Sequence, residues 1–377
     1  MMALISALLW AAAQKPPPPP PPADPAMTIE KLLESGHQKY IKGDFAGSMA
    51  DFNRALQLDA RNVRALSYRG LCQAGLKQYS KALVDFAKAL EIEPRHTPSY
   101  VGRADVQAAR REYEEAIKDY TKAIEINPVH PTAPALRGLA WIAKGDYTQA
   151  APDFERGIRN LSDAKEAPAL VLRGASKHWT HDFAGAESDL TRALDQAPRL
   201  ELGLYYRGRN RIFLGKPHDA QGDLKRATDL EPKDGEAWLA YGDAFAFEFA
   251  YADAAKIYRR AWESDPSVDG QAHLRLWKVQ MRGGQRDAAQ KELETWVKEH
   301  KPPLPDGEIR QTAELFLGLG APEVFLAGID AGDDRRSLER RCDRHADVGL
   351  MRFVAGDFAA AEGQFKKSVE TDRKSVV

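Results

Sequence analysis

From Ile29 onward the chain repeats itself, and a period of 34 residues leaves few folds open to it. Tyr79, Ala82, Phe86, Ala89, Ile92 and Pro94 form one copy of a spaced set. The set returns at Tyr113, Ala116, Tyr120, Ala123, Ile126 and Pro128, at Tyr147, Ala150, Phe154 and Gly157, and at Phe183, Ala186, Leu190, Ala193 and Pro198. Ala220, Leu224, Ala227, Leu230 and Pro232 follow, then Tyr251, Ala254, Tyr258, Ala261 and Pro266, while Phe52, Ala55 and Leu58 begin the series. Repeats start at residues 29, 63, 97, 131, 167, 201 and 235, in steps of 34 except for the 36 between 131 and 167.

Each repeat reads as two helices. The first carries Gly36, Gly70, Ala104, Gly138, Gly174, Gly208 or Gly242 at its eighth position. The second carries Ala at its fourth helical position and Ala or Gly at its eleventh, as at Ala82 and Ala89. Small residues there let two helix axes approach closely, and the neighbouring aromatic (Phe52, Phe86, Tyr120, Phe154, Tyr258) fills the space between one pair and the next. Gly43-Asp44 and Gly145-Asp146 break a first helix and cap a second, and the closing proline stops it. One helical pair cannot bury its own apolar face, so neighbours must stack into a one-dimensional array.

This pattern, with Gly or Ala at position 8, Tyr at 17, Ala at 20, an aromatic at 24, Ala at 27 and Pro at 32, resembles the tetratricopeptide repeat family. The resemblance implies an all-α fold, a right-handed α-solenoid of helix-turn-helix repeats, and a scaffold that binds protein or peptide partners without catalysis. It covers seven repeats within residues 27–268. A degenerate repeat follows over 269–303, where Trp277 fills the small slot while Ala289, Leu293 and Trp296 keep the second helix. Residues 304–341 read as an amphipathic segment, with Leu315 and Phe316 packing on the end of the array, and 342–377 as a last repeat. Pro152 inside a second helix and the insertion at Lys165-Glu166 predict a slackened step between the fourth and fifth repeats.

A charged pattern runs with the repeat. Arg69, Arg103, Arg137, Arg173 and Arg207 precede the small residue of the first helix, and Asp51, Asp85, Asp119, Asp153, Asp189 and Asp223 precede the aromatic slot of the second. A basic stripe facing an anionic partner is one reading. The seventh repeat loses both residues together, having Tyr241 and Ile257, which favours a structural ladder of Arg–Asp pairs. The sequence leaves open whether each Asp pairs within its own repeat or with the next.

In the family that this pattern resembles, positions 2, 5, 9, 12 and 13 of the first helices line a concave groove. Here that places Val171, His178, Trp179, Tyr205, Arg209, Phe213, Leu239, Asp243 and Phe247 on the groove, an aromatic-rich row suited to peptide capture. The first repeat has Leu33 and His37 at the slots where some members grip a terminal carboxylate through Lys and Asn, so that mode is not expected.

Composition narrows the partners. Lys and Arg total 54 against 55 Asp and Glu, a net charge of -1, which points away from nucleic acid. No phosphate loop, nucleophile elbow or zinc helix motif occurs, and the His178–His181 pair lacks a third ligand, so no catalytic residue, metal or cofactor is expected. Cys72 and Cys342 stand too far apart along an array to pair, and Cys72 reads as packing. Residues 1–26 combine an apolar run ending in Ala11-Ala12-Ala13-Gln14 with the prolines Pro16 to Pro22, expected to be an export signal and a stiff spacer. The first expectation is therefore an exported adaptor. The alternatives are a cytosolic co-chaperone or assembly scaffold, and the recognition part of a larger enzyme system.

Overall fold

The structure, a computed structural model, describes residues 28–299, 308–317, 319, 363–364 and 366–367. The export signal and proline spacer expected over 1–26 lie outside the described residues, as do Cys342 and nearly all of the terminal repeat expected over 342–377. Among the described residues the secondary structure is helical throughout, with no strand. The first four repeats are α1 (Ile29–Ile41) with α2 (Phe45–Leu58), α3 (Val63–Gly75) with α4 (Tyr79–Ile92), α5 (Thr97–Ala109) with α6 (Tyr113–Ile126), and α7 (Ala133–Ala143) with α8 (Tyr147–Asn160). The next three are α9 (Ala167–Trp179) with α10 (Phe183–Gln196), α11 (Glu201–Phe213) with α12 (Pro217–Leu230), and α13 (Gly235–Phe247) with α14 (Tyr251–Ser264). The degenerate repeat supplies α15 (Asp269–Arg282) and α16 (Arg286–Glu299), and α17 spans Glu308–Phe316.

The chain forms two compact bodies, Met1–Arg207 and Gly208–Val377, with the boundary inside α11. Within the N-terminal body each helix from α1 to α10 packs on the next, and within the C-terminal body α12 to α16 do the same. Each body is thus a stack of helical pairs, the packing of an α-solenoid.

The small–aromatic spacing accounts for that packing. A side chain grown on Gly70 would put its Cβ 2.9 Å from Phe86, and one on Gly138 would lie 2.8 Å from Phe154. Both rings are buried, at 0% and 1% exposure, so the glycines are the price of bringing α3 onto α4 and α7 onto α8. Asp44, Asp146 and Asp182 cap α2, α8 and α10 by accepting from the backbone N–H three residues on, at 2.9, 3.3 and 2.9 Å. The residue just past each first helix takes a left-handed conformation. Gly43, Gly145, Gly215 and Gly284 fill it at no steric cost, whereas Lys77, Arg111, His181 and Phe249 adopt φ of 57, 64, 64 and 60°.

The departures from the repeat are absorbed locally. α8 runs unbroken through Pro152. The turn before the insertion is tied down by Arg173, whose Nη1 donates to the carbonyls of Leu161 and Ser162 at 2.9 and 2.5 Å, and the insertion itself by Gln196, whose Nε2 donates to the Lys165 carbonyl at 2.8 Å. Where Trp277 replaces the small residue, α17 closes over it. Trp277 stacks on Phe316 with ring centroids 4.0 Å apart, in a core shared with Met281, Leu293 and Leu315. Cys72 is buried, burial pushes its thiol up to about 12, and it lies 3.2 Å from Ser48 Oγ, a packing position and not a reactive one.

Candidate partner-binding groove

In the N-terminal body the arginines and aspartates form forked pairs. Arg69 donates from Nε and Nη2 to the Asp85 carboxylate at 2.6 and 2.7 Å. Arg103 does so to Asp119, Arg137 to Asp153 and Arg173 to Asp189, all at 2.6–2.7 Å. Every pair lies within one repeat, joining a first helix to its own second helix. The remaining arginine nitrogen reaches back to the previous repeat: Arg69 Nη1 to Asn53 Oδ1 and Arg137 Nη1 to Thr121 Oγ1, both at 2.9 Å. The stripe therefore stitches repeats together as well as closing them.

Where the arginine is absent, a cation four residues later substitutes. Ser35 takes the arginine slot in the first repeat, and Asp51 accepts from Ser35 Oγ and Lys39 Nζ, both at 2.7 Å. Asp223, whose repeat keeps Arg207 in the slot, also accepts from Arg211 Nη1, four residues further on, at 2.7 Å. Asp189 receives both kinds of cation, with Lys177 Nζ at 2.8 Å besides Arg173. Burial works to raise the Asp189 pKa, yet these two cations outweigh it and hold the carboxyl below its usual value.

A second pairing, of a buried tyrosine with a half-buried aspartate, links position 9 to position 24. Tyr120 Oη donates to Asp105 Oδ1 at 2.5 Å and Tyr258 Oη to Asp243 Oδ1 at 2.7 Å. Tyrosine replaces phenylalanine at position 24 in these two repeats, and both have Asp at position 9. Burial pushes the Asp105 carboxyl up to about 7, against the opposing effect of the Tyr120 hydrogen bond.

In the C-terminal body these charges open onto a cleft of about 330 Å³ between α13 and α15. Asp243 and Phe247 of α13, Tyr258 of α14, and Arg275, Lys278 and Arg282 of α15 line it. Arg275 Nε donates to Asp243 Oδ1 at 3.1 Å, and its Nη1 to Gln271 at 3.0 Å. Phe247 is 58% exposed, and Phe213, one repeat earlier at the same position 13, is 59% exposed. The cleft thus offers an apolar ring beside clustered cations.

Profiles described as tetratricopeptide repeat match residues 63–96, 98–165, 205–269 and 248–305, more than half of the chain. The chain belongs to the tetratricopeptide repeat family. Among solved structures, human IFIT1 as a dimer with PPP-AAAA is similar at 13% identity, with 92% of this chain and 91% of that one covered and a TM-score of 0.54. The same protein with m7Gppp-AAAA gives 14% identity over the same shares of both chains, again with a TM-score of 0.54. A tetratricopeptide repeat protein from Parabacteroides merdae shares 21% identity over 67% of this chain and 98% of its own, with a TM-score of 0.43. At such identities the likeness is one of fold. No curated protein sequence matches the chain. Among the described residues no helix is long and apolar enough to cross a membrane.

The tetratricopeptide groove expected from sequence is narrower in the structure. Val171, Tyr205 and Leu239, all at position 5, are 0, 1 and 2% exposed, and His178 at position 12 is 3% exposed. These four are packing residues, which corrects their assignment to an open groove. Leu239 sits in the core with Tyr258, Ala272 and Leu276. His178 meets Phe183 and Tyr206 edge-on at centroid distances of 5.7 and 6.2 Å. Trp179 is half-buried and stacks on Phe154 at 6.4 Å. Arg209 and Asp243 at position 9 are half-buried, so of the expected groove residues the accessible ones stand at positions 9 and 13. Sequence reading missed Arg275, Lys278 and Arg282, although the register set by Trp277 at position 8 puts Lys278 and Arg282 at positions 9 and 13. Their spacing of three and four residues was the available signal, since it puts all three on one helix face.

Proposed function

We propose that this chain is a non-catalytic tetratricopeptide scaffold that holds a peptide or helix of a partner protein against the cleft between α13 and α15. The observation that carries this reading is Phe247, 58% exposed, lining one cleft with Arg275, Lys278 and Arg282. Aromatic and arginine side chains dominate the binding energy of protein interfaces, and a ring already turned to solvent needs no rearrangement to take an apolar anchor. Asp243 holds Arg275 in place, and Arg282 in the same cleft meets an acceptor on the partner.

A net charge of -1 does not by itself exclude nucleic acid, because the cations cluster locally. The fold neighbour IFIT1 is solved with PPP-AAAA, which makes that molecule the right competitor to test. A photocrosslinking residue placed at Phe247 in the full chain, with a control at the exposed Arg192, is expected to trap a protein at the first position only. Equal trapping at both positions defeats the assignment. Anisotropy of labelled PPP-AAAA that rises with this chain and falls back in Arg282→Glu replaces the protein partner with a nucleic acid.

Export is part of the same proposal and rests on the apolar run Ala3 to Trp10 and the Ala11-Ala12-Ala13-Gln14 step. A mature chain beginning near Gln14 supports an exported adaptor. An intact Met1 in the cytosol turns the reading toward a cytosolic co-chaperone or assembly scaffold.

A further inference from the structure

The C-terminal body has a second cleft that shares no lining residue with the first. It encloses about 730 Å³ between α14 and α16, over the start of α15. Its centre is a stack of three rings. His273 stands between two indoles, with centroids 4.2 Å from Trp262 and 4.7 Å from Trp296 and interplanar angles of 27 and 12°. Trp296 Nε1 donates to Asp269 Oδ2 at 2.6 Å, and His273 Nδ1 lies 3.0 Å from the Asp269 carbonyl oxygen. The stack is therefore held from one point, the first turn of α15. His273 is 8% exposed while both indoles stay partly open to the cleft.

An aromatic stack with an apolar rim would be ordinary packing, but this rim is charged. Asp269, Glu292 and Glu299 line the cleft, and among the described residues Lys291 is the one cation in its walls. Glu292 is anchored from behind by Arg259, at 3.1 and 2.8 Å, and by Gln280 Nε2 at 2.8 Å. Acceptors and indole faces together select for a cationic ligand and repel phosphate. Of the natural cations, a guanidinium fits both features: it is planar and weakly hydrated, it stacks on aromatic rings, and it forks onto a carboxylate. Trp296 and Glu299 lie three residues apart on one face of α16, so a single side chain can reach both.

We infer that this cleft receives an arginine side chain from a basic segment of a partner protein, with the guanidinium against Trp296 and its N–H groups on Glu299. The site is independent of the Phe247 cleft and of opposite sign, so one body offers an anion-accepting surface and a cation-accepting one.

The test uses the full chain and two labelled peptides of equal length and charge, an Arg-Gly repeat and a Lys-Gly repeat, followed by anisotropy at physiological salt. The arginine peptide is expected to bind several-fold more tightly than the lysine peptide, and Glu299→Gln or Trp296→Phe should each weaken it by about 10-fold. Glu299 is exposed, so its substitution leaves the fold intact and keeps the test decisive should Trp296→Phe unsettle the stack. Phe247→Ser should leave this binding unchanged. Equal affinity for the two peptides, or undiminished arginine binding in Glu299→Gln, overturns the assignment.

Discussion

The two bodies spend their charges differently. In α3 to α10 each Arg–Asp pair has a buried aspartate, is periodic and internal, and its geometry repeats from Arg69–Asp85 to Arg173–Asp189 within 0.1 Å, at N···O distances of 2.6–2.7 Å. In α13 and α14 the two slots hold Tyr241 and Ile257, and Tyr241 packs edge-on against Phe245 at 5.2 Å. In the C-terminal body charges line two clefts beside partly exposed aromatic rings, Arg275, Lys278 and Arg282 of α15 in one and Asp269, Glu292 and Glu299 in the other. A regular ladder uses its charge up in holding repeats together. A broken one leaves charge at the surface for ligands.

The sharpest way to break that contrast is to remove one carboxylate from each body. Asp189→Ala strands Arg173 and Lys177 beside a buried site, with side chains 9 and 20% exposed, and is expected to cost about 3–5 kcal/mol in a urea melt. Glu292→Ala removes a partner from Arg259, whose side chain is 39% exposed and can turn to water, but it also unpairs the buried Gln280 Nε2, and should cost about 1–2 kcal/mol. Equal losses would mean that the ladder is no more structural than the cleft. Acid works in the same direction on Asp189. Its folded pKa is depressed, so the stability it contributes is full above the unfolded carboxyl pKa and is lost as pH falls through the folded value.

Much of the first body was legible before its coordinates. The 34-residue register fixed which residues share a face, and the small slots at Gly36, Gly70 and Gly138 pointed to close helix pairs. The partner of each arginine was not legible, because an Arg on a first helix can reach a second helix in either of two repeats. The burial of Val171, Tyr205 and Leu239 was hidden for a related reason. Whether position 5 stays open depends on the bulk of the adjacent first helix, which is a property of two repeats and not of one. The Trp262–His273–Trp296 stack was out of reach altogether. Its members sit on α14, α15 and α16, and the spacing that places Trp296 on its helix does not say which side-chain directions bring the three rings together.

Asp105 gives a second comparison, since Asp243 repeats its tyrosine bond but adds Arg275. Asp105 has its folded pKa raised to about 7, so the folded state holds a proton that the unfolded state has released. Its contribution is therefore most favourable below the unfolded pKa of about 4 and is lost as pH rises through 7. Asp105→Asn should match the parent near pH 4 and exceed it at pH 8 by on the order of 1–2 kcal/mol, as read from paired denaturant melts. Asp243→Asn also unpairs Arg275, so it should give no such gain at pH 8. A pH-independent Asp105→Asn difference would remove burial as the cause of the shift.

The smallest effect concerns the left-handed residue after each first helix. In the N-terminal body that position is Lys77, Arg111 or His181 as well as glycine, and in the C-terminal body it is Gly215, Phe249 and Gly284. A non-glycine residue held at positive φ costs about 1–2 kcal/mol, and glycine returns part of that gain through its freer unfolded chain, so Lys77→Gly should stabilise by about 0.5 kcal/mol. Phe249→Gly relieves the same backbone strain but also gives up the edge contact with Tyr251 at 6.2 Å. Phe249 is 77% exposed, so little packing is lost with the ring, and a net gain of about 0.5 kcal/mol is expected here too. The two melts separate backbone from ring. If Lys77→Gly stabilises and Phe249→Gly does not, the Phe249 ring is held by Tyr251 strongly enough to offset its strain, and this turn of the C-terminal body is built differently from its N-terminal counterparts.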